Sequence, residues 1–392
     1  MISKFRATLE TVTPLFLGGS NPRDPRDEPE LRAASFRGAL RFWFRALLGG
    51  VLGDKPDDIF RYESQVFGST EHASSVVLQL SHPYLSKVSY SQISRDRKGR
   101  DRKGIGYLFF GARGVGSERE RQAVADGLRF TCTIRQRNGV QDAKALQAAY
   151  AALWLLTHLG GLGMRSRKGG GNLQVVSTDW NEPSLPSLTV QAQTPKQLQE
   201  TLQDGLHKLR KWAAETFNGS LSLSFQATPS FDILHPNYCR INIINHEFNN
   251  WAEALDTFGQ VMQQFRNRRQ PDYSNVKAVL QGSDELESVQ RAVFGLPIVF
   301  YFSSLKKRAT LEGEKHNRRA SPLIVRVTKL ANGKFVLVLI HFHSQFLPEN
   351  ERLQLRYDDQ KVFTEQPSDN LLNNFLSHLE HQIAPFLEVK NW

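Results

Sequence analysis

Arg37, Arg41 and Arg45 recur at four-residue spacing, and that spacing suggests a specific chemistry. Four residues of a helix turn through about 400°, so the three guanidinium groups fall along one stripe. Each offers a planar fork of donors, which suits the phosphate oxygens of a nucleic-acid backbone. Arg32 and Ser35, just ahead, extend the candidate contact line. The bland alternative is a solvated basic face paired with nearby acids. A second cationic group lies in residues 160–171, GGLGMRSRKGGG. Glycines such as Gly161 and Gly163 allow positive φ and close backbone approach, while Arg165, Arg167 and Lys168 supply charge with no intervening acid. That combination reads as a phosphate clamp, against the plainer reading of a helix cap with a solvated loop. Arg318 and Arg319 end a third basic run.

Candidate catalysts are fewer. Asp24 and Asp27 precede the arginine stripe and could hold a divalent cation against a scissile phosphodiester. They alternate with Arg23 and Arg26, which compete for the same carboxylate oxygens, so local ion pairing is the more economical account. His341-x-His343 puts two imidazoles on one strand face. With no cysteine or carboxylate close in sequence, a sheet surface is the simpler reading, and no metal or cofactor is expected. There is no GxxxxGK[ST] phosphate loop, no GxGxxG after a strand and no GxSxG elbow.

These residues need a scaffold. Residues 4–17 alternate as a strand, and Ser35 to about Leu48 reads as a helix stopped by Gly49 and Gly50. Strands follow near 75–80, 105–110 and 128–135, then a helix over 143–159 and a short strand at 173–176. The β-α-β-β-α-β order fits a ferredoxin-like unit, an architecture shared with RNA recognition motifs. Residues 181–196 hold three prolines and read as a linker. The second half echoes the first: Gly38-x5-Phe44-Arg45 with Gly259-x5-Phe265-Arg266, Val66-Phe67-Gly68 with Val293-Phe294-Gly295, and 73–80 with 320–327. Found in the same order, the pairs favour an internal duplication. The expected fold is therefore α+β: two tandem ferredoxin-like (RRM-like) domains, 1–180 and 197–392, joined by 181–196. Basic loops at 94–104 and 303–318 would be insertions. A hairpin over 321–342 turns at Asn332-Gly333.

Composition supports a polyanion as partner. Fifty Lys and Arg against 39 Asp and Glu leave a net charge of +11 over 392 residues. Two cysteines, Cys132 and Cys239, argue against a disulfide framework and for a reducing compartment. The first ten residues carry no apolar signal core, and no run suggests a membrane span, so a cytoplasmic protein is expected.

At 13–47, 67–69 and 160–173 the motifs TPLFLGG, PELRAASFRGALRFWFRAL, FGS and GGLGMRSRKGGGNL resemble the RAMP superfamily of CRISPR proteins. RASPLIVRV in the second half is similar to the same group. Within it the chain most resembles the family of the first-numbered subunit of type III-B (Cmr) effector complexes. The resemblance implies paired ferredoxin-like domains, binding of CRISPR guide RNA and single-stranded target RNA near the guide 3′ end, and assembly with other RAMP subunits in antiviral defence. It implies no nuclease centre in this subunit. Related backbone subunits cleave target RNA with an aspartate after the first strand, roughly where Asp24 and Asp27 stand, so a metal-dependent endonuclease stays as the alternative.

Overall fold

In the computed structural model, residues 3–19, 29–82, 84–114, 119–137, 143–267 and 269–392 are described. Asp24 and Asp27 lie outside them. In the first half β1 (Lys4–Thr11) leads to α1 (Ala33–Leu52), α2 (Pro56–Phe67) and β2 (Val76–Ser81). A small subdomain follows, with β3 (Lys87–Ser89), α3 (Tyr90–Ile93), α4 (Lys103–Leu108) and β4 (Gln122–Val124). Then come β5 (Arg129–Gln136), α5 (Ala143–Leu159) and β6 (Leu173–Thr178). These strands form an antiparallel sheet in the order β2-β5-β1-β6. On β1, Phe5, Ala7 and Leu9 point inward, and the buried Phe36, Leu40, Trp43 and Phe44 of α1 join the same core.

α6 (Pro195–Phe217) opens the second half, followed by β7 (Cys239–Ile244), α7 (Trp251–Arg266), α8 (Asp272–Leu280), β8 (Ile298–Phe302) and β9 (Lys307–Gly313). The chain ends with β10 (Leu323–Lys329), β11 (Phe335–Phe342), β12 (Leu353–Tyr357), β13 (Gln360–Thr364), α9 (Asn370–Gln382) and β14 (Phe386–Glu388). Its main sheet is antiparallel in the order β10-β11-β7-β14. Counting the four sheet strands of each half along the chain, both sheets have the order 2-3-1-4. The edge strands β2 and β10, which carry Val76 and Leu323, are equivalent. Gly68 and Gly295 precede those strands at φ 84° and 113°, where a Cβ would meet the neighbouring backbone 2.9 Å away in each case.

Four local expectations are corrected. The 303–318 segment is not a loop: β9 pairs with β8 and β12 in a further sheet, β13-β12-β9-β8, with Ala309 and Leu311 buried. The charges at 306–308 mask that alternation. The basic 94–104 segment is a tight turn in which Asp96 accepts from the Lys98 and Arg100 amides at 2.8 and 2.9 Å. Residues 105–110 are not a strand: α4 begins at Lys103, and Asp256 of α7 accepts from the Gly104 and Ile105 amides at 2.8 and 3.2 Å. A helix start capped from 150 residues away has no local signature. Finally, α1 runs through Gly49 and Gly50 to Leu52. A Cβ on Gly50 would lie 1.9 Å from the Leu234 carbonyl oxygen, so this glycine serves close packing rather than termination.

The segment 181–194 lies against α5. Tyr150 Oη donates to the Pro186 carbonyl at 3.1 Å and Trp154 Nε1 to that of Ser187 at 3.0 Å, and Leu185 and Leu188 are buried. A second tie between the halves is the fully buried Arg326 on β10. Its guanidinium donates to the carbonyls of Thr157, Gly160 and Leu173, and to Thr328 Oγ1. No carboxylate is needed, because the carbonyl end of α5 carries the negative pole of the helix. Burial lowers the Arg326 pKa to about 9.

Candidate nucleic-acid interface

α1 presents two faces that do different work. Ser35, Ala39 and Phe42 share one side, and Arg37, Arg41 and Arg45 lie on the other. The arginine face borders a cleft of about 540 Å³ lined by Arg37, Arg41, Phe60, His72, Ser74 and Arg137. Arg41 Nε and Arg45 Nη1 both donate to Glu63 of α2, the latter at 3.0 Å. The Glu63 carboxylate is buried, so one acid is shared by two bases and one net positive charge remains. Arg137 is braced by the Ser74 carbonyl at 2.7 Å. Phe60 is 55 % exposed beside these cations, a ring placed as a stacking platform for a base. Arg32 stands apart, exposed, donating to the Gly18 carbonyl at 2.8 Å.

The opposite face meets the glycine-rich segment. Ser35, Phe42, Gly161, Gly163 and Arg167 line a second cleft of about 360 Å³. The segment is not a floppy loop. Met164 N donates to the Phe16 carbonyl, Gly171 N to that of Pro14, and Val325 N of β10 to that of Arg167. Asn172 Nδ2 and Arg326 both hold the Gly160 carbonyl. Gly163 has φ 79°, and a Cβ there would lie 2.4 Å from the Phe16 carbonyl oxygen, so only glycine fits.

Arg167 and Arg319, read separately from the sequence, converge on Asp232. Arg167 Nη2 lies 2.8 Å and Arg319 Nη2 3.7 Å from its carboxylate, while Arg167 Nη1 donates to the Ser321 carbonyl at 2.6 Å. The Arg167 guanidinium also sits 5.1 Å over the Phe42 ring. Arg318 is exposed. Arg165 and Lys168 turn into a different environment, near Arg266 and Tyr107. Burial, then Arg266, Arg165 and Arg167, pull the Lys168 ammonium down to about 7. Burial likewise lowers Arg165 and Arg319. Among the described residues, Lys168 Nζ and the Nε atoms of Arg37, Arg165, Arg266 and Arg319 are enclosed without a hydrogen-bond partner.

A third cleft, about 650 Å³, lies beside the small subdomain. Arg95, Arg102, Lys103, Tyr107, Phe110 and Arg113 are among its lining residues, with Phe110 56 % exposed. The basic run at 94–104 signals the charge, whereas the exposure of Phe110 follows from the helical turns over 103–112 that replace the expected strand.

The profile of the RAMP superfamily matches residues 8–174. The CRISPR system Cmr subunit Cmr1-2 of Pyrococcus furiosus is 31 % identical over 176 residues, covering 43 % of this chain and 92 % of that one. The chain belongs to the RAMP superfamily. Within the superfamily its similarity is to the first-numbered Cmr subunit. Cmr1-1 of the same organism is 27 % identical over 330 residues, 83 % of this chain and 84 % of the relative. The crystal structure of apo Cmr1 from Pyrococcus furiosus superposes with a TM-score of 0.64 at 24 % identity, covering both chains fully. A chain of the type III-B Cmr-beta complex bound to cognate target RNA, solved by cryo-EM, gives 0.56 at 13 % identity over 98 % of this chain and all of that one. Among the described residues no helix is long and apolar enough to cross a membrane.

Proposed function

We propose that this chain is a non-catalytic RNA-binding subunit of a type III CRISPR RNA-guided surveillance complex. It contacts guide and target RNA near the guide 3′ end, beside other RAMP subunits, in antiviral defence in the cytoplasm. Its two units, 1–180 and 197–392 joined by 181–196, are each read as a ferredoxin-like domain; the equal strand orders of the two sheets support this.

One observation carries the reading: Arg37, Arg41 and Arg137 line an open cleft beside the exposed ring of Phe60, so accessible cations and a stacking platform share one surface. Phosphate oxygens supply both the acceptor and the opposite charge. Within this reading Arg37, Arg41 and Arg45 serve one face of α1, Arg32 its start, and Ser35 the opposite face that meets the glycine-rich segment. Gly161, Gly163, Arg165, Arg167, Lys168, Arg318 and Arg319 serve the glycine-rich side.

The test is incubation of end-labelled single-stranded RNA with the full chain, alone and in a reconstituted guide-loaded complex, with Mg²⁺ or Mn²⁺. Binding that weakens steeply with salt, and intact RNA on a denaturing gel, are expected. Discrete products that vanish in Asp24→Ala or Asp27→Ala would replace the binder with a metal-dependent endonuclease.

A further inference from the structure

His341, His343 and Asp369 come together from two elements separated by the whole of the β12–β13 excursion. His341 is the penultimate residue of β11, His343 follows the strand, and Asp369 precedes α9. Residues two apart on an extended strand share a face, and here the two imidazole centroids lie 4.0 Å apart, tilted by 48°. Asp369 Oδ2 lies 3.2 Å from His343 Nδ1. One ligand atom from each of the three residues falls within 4.8 Å of the others.

The second observation is a deficit in hydrogen bonding. His341 is 1 % exposed, yet among the described residues neither of its ring nitrogens has a partner, and neither does His343 Nε2. A neutral imidazole carries one donor and one acceptor, and each buried group left unsatisfied costs about 1–3 kcal/mol. Three such nitrogens side by side are costly for the protein alone. His343 is held in place by its own backbone, whose N–H donates to the Tyr238 carbonyl at 2.8 Å. The next residue, Ser344, donates through Oγ to Asp232 at 2.8 Å.

The geometry points to a divalent transition-metal site, of the zinc class, formed by His341, His343 and Asp369. Two imidazole nitrogens and one carboxylate oxygen are the donor set of zinc rather than of the oxygen-seeking Mg²⁺ or Ca²⁺. Ligands at about 2.0–2.1 Å around a tetrahedral ion stand about 3.4 Å apart, so side-chain rotations suffice to close the set. Asp369 is half exposed, which leaves a fourth position facing water. A bound ion would tie the end of β11 to the start of α9, next to the Asp232 node that holds Arg167 and Arg319.

The experiment uses the full chain without an affinity tag, stripped with chelator and dialysed against Zn²⁺. Metal content is read by mass spectrometry, and Co²⁺ is used separately as a spectroscopic probe. One zinc per chain is expected, with tetrahedral Co²⁺ absorption and a melting temperature that rises with Zn²⁺. Asp369→Asn and His343→Gln should each weaken retention by more than the roughly 10–100-fold that an outer-shell loss costs, and abolish the thermal shift. Asp369 makes no side-chain cap to α9, so Asp369→Asn removes a ligand without uncapping the helix. Failure of the wild type to retain zinc, or equal retention by folded wild type and Asp369→Asn, would overturn the assignment. Neither result bears on RNA binding, which is read separately.

Discussion

The arginine face of α1 and the glycine-rich segment carry similar charge but hold it in opposite ways. On α1, Glu63 shares its carboxylate between Arg41 and Arg45, and the arginines stay partly in water. Their side chains are adjustable, and the buried Glu63 keeps a second partner when either arginine is removed. In the glycine-rich segment Lys168 and Arg165 are enclosed, and the backbone is held from both halves of the chain. The first region can add affinity without being needed for the fold. The second stores unsatisfied charge inside the fold, so under the proposed function it is the region where RNA binding and stability would be coupled.

The sharpest way to break this comparison is Arg326→Met. It leaves the carbonyls of Thr157, Gly160 and Leu173 without that donor, and destabilisation on the order of 3 kcal/mol is expected in urea unfolding. Arg45→Met should stay within about 1 kcal/mol. Equal losses would erase the distinction between the two regions.

Proton linkage gives the next largest effect. Lys168 titrates near 7 in the free protein, well below its ordinary value of 10.5, and a phosphate would restore its charge. RNA affinity should therefore fall as pH rises above about 7, at up to about tenfold per unit, measured by fluorescence anisotropy. The fold responds with the opposite sign. Between about 7 and 10.5 the unfolded chain binds the proton that the folded chain has released, so this group's contribution to stability rises with pH through that window. Lys168→Met should flatten both profiles; an unchanged affinity profile would take Lys168 out of the RNA site.

The smallest expected effect belongs to the α1 face. Charge reversal there would crowd carboxylates around the buried Glu63, so Arg37→Gln with Arg41→Gln is the cleaner variant. Each lost phosphate contact should lower the single-strand log–log salt slope by about 0.7, with little change in melting temperature. An unaltered slope would remove the stripe from the interface.

Where periodicity is local, the sequence was readable. α1, α5, the strands near 4–11, 76–81 and 129–136, and the Asn332-Gly333 hairpin follow from spacing and turn chemistry. So was the clustering of cations, although not the fact that α1 divides them between two faces. The charges at 306–308 hid a strand and Asp96 closed a local turn, while the other misses involve distant partners. α4 takes its cap from Asp256, and Gly50 answers to Leu234 rather than to the end of its helix. Asp369 is 26 residues from His343, so the pair looked like a bare sheet face. Arg326 passed for an ordinary strand residue because its partners are carbonyls on the other half.

That last contact also sets an order of events during synthesis. Gly160 and Arg326 are 166 residues apart. At about 5–20 residues per second, the ribosome needs roughly 8–33 s to deliver the anchor after the segment it anchors. During that interval the Gly160 carbonyl has Asn172 but not Arg326 as donor, so the final geometry of the glycine-rich segment waits for β10. Under the proposed function, stalled or truncated products ending before β10 would then be poor competitors for RNA.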